Sequence, residues 1–76
     1  MKKEHCDKYR KLCLKIAYYR KLRGDTQEQL AEKIDKSAGY IAAIESKRVI
    51  KILSMDTFFD IANVLDVEPY KLLEED

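Results

Sequence analysis

The sequence predicts an all-α domain built from five helices. Apolar residues recur at helical spacing in five successive segments. Good N-cap residues, Thr26, Ser37 and Ser54, stand at the start of three of them. Gly24 and Pro69 fall at segment boundaries, where a helix stops and where one begins.

Residues 1–6 are polar and are expected to fray. From about Asp7 to Arg23, Tyr9, Leu12, Cys13, Ile16, Tyr19 and Leu22 make the apolar stripe of a long first helix. Gly24 stops it, and Asp25 leads into the next cap. Thr26 with Gln29 three residues on is a capping box for a second helix that runs to about Lys33. Asp35 occupies a tight turn, where Asp tolerates left-handed backbone better than most residues. The third helix covers about 37–46, with Ile41 and Ile44 inward. Residues 47–53 form a basic, β-branched connection. Ser54 caps a fourth helix, 55–65, whose Phe58, Ile61, Ala62 and Leu65 share one face. Glu68-Pro69 opens a short fifth helix with Tyr70, Leu72 and Leu73 as its apolar face.

Seventy-six residues make one domain. Residues 1–11 read as an N-terminal extension of the first helix, and 12–76 as the domain proper. A core this small leaves a thin stability margin, so tight packing or dimerisation matters.

The run from Thr26 to Glu45 is the most informative stretch. Two short capped helices are joined by a tight turn. Leu30, Ala31 and Ile34 form one stripe, Ile41 and Ile44 the next, and small Ala31 stands where two helices must cross closely. This is the sequence form of a helix-turn-helix, whose second helix enters the major groove of DNA. At these residues the chain resembles the Cro/cI-type (XRE) helix-turn-helix domains of phage repressors and small bacterial regulators. Ile16 and Arg20 precede Gly24 at that family's spacing. Ser54 to Leu65 resembles its fourth helix and Val67 to Leu73 its fifth, so the likeness covers roughly residues 12 to 73.

The resemblance implies DNA-contacting positions. Gln27, opening the second helix, falls where the family binds a phosphate, and free N–H groups at a helix start suit an anion. Lys36 in the turn and Lys47, Arg48 and Lys51 after the third helix are read as phosphate contacts. Base contacts in the family come from the start and outer face of the third helix. Here those positions hold Ser37, Ala38, Gly39, Ala42 and Ala43, with Tyr40 beside them. None is Arg, Lys, Asn or Gln, the residues that make bidentate base contacts. Either specificity is low, or it rests on shape, water and the 47–51 connection, or the face meets protein instead. Arg20 and Glu45, paired in the family between the first and third helices, are read as a structural ion pair.

Charge supports a polyanion partner. The net charge of +1 hides a basic part, residues 1–51 with 14 Lys+Arg against 7 Asp+Glu, and an acidic part, residues 52–76 with 1 against 7. Other chemistry finds no residues to carry it. Cys6 and Cys13 lie seven apart on one helix, about 10 Å, too far to bridge. With His5 they make no metal set, and no cofactor is expected. Two glycines leave no phosphate-cradling loop, and no Ser–His–Asp set or carboxylate pair suggests an enzyme. No apolar run approaches the ~18 residues of a membrane span, and no signal peptide is evident, so a cytoplasmic location is expected.

These readings converge on a transcriptional regulator, a repressor occupying an operator as a homodimer on double-stranded DNA. Two alternatives stay open. One is a protein-binding module, such as an antitoxin or regulatory subunit, docking through the bare third helix. The other is a low-specificity architectural DNA binder.

Overall fold

Three helix ends set the shape of this protein, because all three close with the same hydrogen-bonding motif. In the computed structural model, which describes residues 2–74, the helices are α1 (Cys6–Arg23), α2 (Gln27–Lys33), α3 (Ala38–Glu45) and α4 (Met55–Val64). A 3-10 turn, Lys3–His5, leads into α1, and a 3-10 helix, Pro69–Leu73, follows α4. There is no strand among the described residues. Met1, Glu75 and Asp76, which belong to the polar N-terminal segment, the acidic C-terminal part and the ends of the two expected regions, lie outside them.

Each of α1, α2 and α4 ends in a residue with left-handed backbone: Gly24 at φ 79°, Asp35 at φ 57° and Asp66 at φ 56°. In each case two amides reach back across the last turn. Asp25 N–H donates to Arg20 O and Gly24 N–H to Lys21 O. Lys36 and Asp35 do the same to Ala31 and Glu32, and Val67 and Asp66 to Ala62 and Asn63. This pair of hydrogen bonds is the Schellman closure. Glycine adopts the required φ freely, whereas Asp does so at a cost. The α2–α3 turn is therefore made by Asp35, as its position in the sequence suggests.

Helix starts are equally explicit. Thr26 Oγ1 accepts from Gln29 N–H at 3.0 Å, and Gln29 Oε1 accepts from Thr26 N–H at 2.8 Å, completing the capping box. Ser37 Oγ accepts from Tyr40 N–H and Ser54 Oγ from Thr57 N–H, both at 3.1 Å. Ser54 Oγ also donates to the buried Thr57 hydroxyl at 3.0 Å.

The core is a single cluster with a contribution from every α-helix. Ile16, Leu30, Ile41, Ile44, Ile61, Leu65 and Leu72 are fully buried, with Leu12, Cys13, Ala31, Ile34, Phe58 and Ala62 around them. Fully burying one such aliphatic side chain contributes about 1.5–3 kcal/mol.

Three expectations are corrected. Leu22 is exposed, because on a helical wheel it lies about 120° from Ile16, and Arg20 occupies the buried line instead. The segment after α4 is a 3-10 helix rather than a fifth α-helix. With three residues per turn only one row faces inward, so Leu72 is buried while Tyr70 and Leu73 are exposed. Residues 3–5, expected to fray, take the conformation of a 3-10 turn that leads into α1.

Arg23 adds a tie that sequence reading misses. Its Nε donates to Leu65 O at 2.7 Å, and its Nη2 lies 3.1 Å from both Asp66 O and Asp66 Oδ2. The last turn of α1 thus satisfies the open carbonyl end of α4, whose own C-terminus carries no basic residue.

Candidate nucleic-acid interface

Position of the α2–α3 pair is set by a buried arginine. Arg20 Nη2 donates to Glu45 Oε1 at 2.8 Å, its Nε donates to Glu45 Oε2, and its Nη1 donates to Asp25 O at 2.7 Å. One guanidinium thereby ties α1, the α1–α2 turn and the end of α3. Both side chains of the pair are about nine-tenths buried. The hydrogen bond to Glu45 raises the Arg20 pKa above its usual range; burial opposes this, and the Glu45 and Asp25 charges assist. Burial alone would push the Glu45 carboxyl up. Hydrogen bonds from Arg20 and Gln27 and the Arg20 charge outweigh it and hold the group below 4.5. Fixed bidentate geometry of this kind sets orientation more than net stability.

Gln27 belongs to the same network. Its Nε2 donates to Glu45 Oε1 at 3.1 Å, so the amide that opens α2 is anchored to the end of α3. Nearby, Lys33 Nζ holds the Asp25 carboxylate at 3.0 and 3.1 Å. Among the described residues, no buried side-chain nitrogen or oxygen lacks a hydrogen-bond partner.

α3 turns Ile41 and Ile44 into the core. Its other side is nearly bare. Ser37, Gly39 and Ala42 are exposed, and Ala38 and Ala43 are half-buried. Gly39 is not imposed by packing: a Cβ there would meet nothing closer than Ser37 Oγ at 3.8 Å. Its φ is not left-handed either. The chain thus carries a glycine in the first turn of α3, where alanine is the better helix former, for no reason internal to the fold.

Tyr40 flanks this face. Its half-buried ring packs against the core, and two ammonium groups sit over it, Lys36 Nζ at 5.3 Å and Lys51 Nζ at 4.9 Å from the centroid. These distances suit cation–π attraction. The spacing of Lys36 and Tyr40 on either side of the α3 start is visible in the sequence, but the arrival of Lys51 is not. It depends on the path of the 46–53 connection, which Cys13 helps hold by donating its thiol to Lys51 O at 3.8 Å. Burial pushes the Cys13 thiol above its usual 9.0, which suits a packing role. Lys47 and Arg48 are exposed just past α3, where Arg48 N–H donates to Ser46 Oγ at 3.2 Å.

The expected residues thus fall into three groups. Lys36, Tyr40 and Lys51 come together in one cationic cluster. Ser37, Ala38, Gly39, Ala42 and Ala43 form the small-residue surface, with Lys47 and Arg48 beyond its end. Gln27, Arg20 and Glu45 form the network that joins α2 to α3. Among the described residues no helix is long and apolar enough to cross a membrane, and no group of three His, Cys, Asp or Glu is placed to hold a metal.

Neither a curated protein nor a solved structure matches the chain at a significant level. A helix-turn-helix family model matches residues 16–72, about three quarters of the chain, from the buried Ile16 of α1 to the buried Leu72 of the closing 3-10 helix. The capped helices, the Asp35 turn, the Arg20–Glu45 pair and this match together place the chain in the XRE family of Cro/cI-type helix-turn-helix domains, a family of DNA-binding transcription regulators.

Proposed function

We propose that the chain is a repressor that lays α3 in the major groove of an operator. The observation that carries this is the α3 outer face. It is small, uncharged and bordered by Lys36 and Lys51 near its start and by Lys47 and Arg48 past its end. Side chains this short let helix backbone and bases approach closely, while the bordering cations meet phosphates. Ala methyls suit thymine methyl groups, and Ser37 and Tyr40 each supply a hydroxyl. Discrimination beyond these contacts comes from groove shape and bridging water.

Gln27 takes the phosphate role together with the first amides of α2. Its bond to Glu45 holds the side chain in place before DNA arrives, so little side-chain entropy is lost on binding. Two copies bind as a dimer on half-sites about one DNA turn apart. Residues 12–76 form the binding domain, residues 1–11 extend it, and the protein acts in the cytoplasm.

The same bare face favours a second reading, architectural binding with little sequence preference, because direct base-reading side chains are scarce. A titration separates the two. Duplexes of selected and random sequence are compared at several salt concentrations by fluorescence anisotropy. With about five phosphates neutralised per monomer, log affinity falls with log salt at a slope of about −4 to −5. Preference for the selected site at constant salt supports the operator reading, and equal affinity supports the architectural one. Absence of binding at low salt defeats both and leaves the α3 face as a protein-docking surface. Gln27→Ala, and Lys47→Ala with Arg48→Ala, weaken all sequences alike, since positioning contacts carry no base information.

A further inference from the structure

The connection after α3 leaves a hollow against α1. It holds about 180 Å³ and is lined by Arg10, Cys13 and Leu14 of α1 on one side, and on the other by the end of α3 and the connection as far as Ile50. Its lining is largely apolar. Cys13 and Ile44 are buried, and Leu14 and Val49 stand at the rim, 52% and 56% exposed. Arg10, Cys13 and Leu14 precede the stretch matched by the family, so this wall is the chain's own. Three charged side chains also line the hollow. The Glu45 carboxylate is already held by Arg20 and Gln27. The exposed side chains of Arg10 and Lys47 have no hydrogen-bond or ion-pair partner among the described residues. An apolar hollow is thus bracketed by two uncommitted cations, and the one anion beside it is neutralised.

We propose that this hollow binds a small monocarboxylate with an apolar body, and that the bound anion weakens the grip on DNA. Size sets the body. An apolar cavity of about 150 Å³ is enough for a benzene ring, so a single ring or a chain of about six carbons fits here. Charge sets the head, since a carboxylate at the open mouth meets Arg10 and Lys47. An uncharged apolar molecule leaves both cations unused, and a DNA phosphate has no apolar part to fill the hollow. The regulatory half of the proposal rests on the phosphate role given to Lys47 above; the binding half does not. A bound carboxylate takes Lys47 from the phosphates and sets a negative charge near Arg48. It also lies along the connection whose path Cys13 helps hold through Lys51 O. By linkage, DNA weakens the ligand by the same factor.

Phenylacetate is the probe. In an NMR titration of the ¹⁵N-labelled full chain without DNA, at constant ionic strength, amides of residues 10–14 and 44–50 are expected to shift saturably, with a Kd of roughly 0.1–5 mM. Phenylacetamide, which keeps the ring and lacks the charge, binds at least about fivefold more weakly. Leu14→Glu, at an exposed position, keeps its circular dichroism spectrum and loses the shifts, because the new carboxylate blocks the rim and repels the ligand. In fluorescence anisotropy, saturating phenylacetate weakens wild-type DNA binding about five- to tenfold relative to an equal concentration of acetate. It leaves the DNA affinity of Leu14→Glu unmoved. Shifts that are absent or scattered over the surface, equal affinity for phenylacetamide, or shifts that persist in Leu14→Glu overturn the site. A bound ligand that leaves wild-type DNA affinity unchanged overturns the regulation. A chain that binds no DNA overturns the operator reading and the regulatory half with it, and the titration without DNA decides the site independently.

Discussion

The two faces of α3 obey different rules. On the inner face Ile41 and Ile44 are fully buried, and at the helix end Glu45 is held by Arg20 and Gln27. Every residue there has a reason within the fold. On the outer face Ser37, Gly39 and Ala42 are exposed, Ala38 and Ala43 half-exposed, and Gly39 satisfies no packing need. A face that folding does not explain is where function is to be sought. The contrast also separates two kinds of arginine and lysine. Arg20 and Arg23 engage carboxylate and carbonyl groups of the chain itself, whereas Lys36, Lys47, Arg48 and Lys51 border the outer face.

The sharpest way to break this contrast is to place a charge on the outer face. Ala42→Glu or Ala43→Glu is expected to abolish DNA binding through bulk and repulsion from phosphate, while helix content is kept, since Glu is a good helix former. A folded Ala43→Glu protein with wild-type affinity would show that α3 does not enter the groove. Unfolding of the variant would place position 43 on the inner face.

Next in size is the inner network. Arg20→Ala leaves Glu45 buried without its main partner, and the loss is about 3–5 kcal/mol. A thermal melt measures it. An unchanged midpoint with lost DNA binding would move Arg20 to the outer, DNA-facing class. The same network carries a pH signature. Glu45 has a lowered pKa in the folded state, so its stabilising contribution is present above its ordinary value of 4.5 and is lost as pH falls through the lower folded value. Chemical denaturation at pH 7 and pH 3 is expected to show a larger acid loss for wild type than for Glu45→Gln.

Gly39→Ala is a smaller test with opposite signs on the two properties. Space for a methyl exists, so stability rises by about 0.5–1 kcal/mol. DNA affinity falls if the backbone approaches the bases at this point. A gain in both would mean that close approach does not occur at Gly39. The smallest effect is at the turn between the helices. Asp35→Gly relieves left-handed backbone on a non-glycine residue and is expected to stabilise by up to about 1 kcal/mol, with DNA binding unchanged. Destabilisation would mean that the Asp35 side chain itself supports the turn.

Much of this contrast is legible in the amino-acid sequence. Thr26–Gln29, Ser37 and Ser54 announce their helix starts because capping is local chemistry between residues two or three apart. Asp35 announces its turn for the same reason. The α4 face Phe58, Ile61, Ala62 and Leu65 follows from period alone. Leu22 misleads because periodicity tolerates neighbouring lines on a helix, and only the packing of α3 and the closing 3-10 helix against α1 decides which line is inward. Tyr70 and Leu73 mislead because so short a segment does not distinguish three residues per turn from 3.6. In the candidate site, charge and position identify Lys36, Lys47, Arg48 and Lys51. The stacking of Lys51 on Tyr40 escapes such reading, because it joins residues eleven apart across a connection without regular structure.

By itself, then, the sequence determined the all-helical class, the helix-turn-helix register, the starts of α2, α3 and α4 and the small, uncharged character of the α3 outer face. These rest on interactions within one or two turns, or on residue type alone. Tertiary structure decided which arginines serve the fold, how Gln27 is tethered to Glu45, which apolar residues remain on the surface and where Lys51 lies. Those outcomes depend on contacts between residues 11 to 43 positions apart, or on which side of an element meets the core. Local preference carries no information about such distances; close packing around one small core settles them.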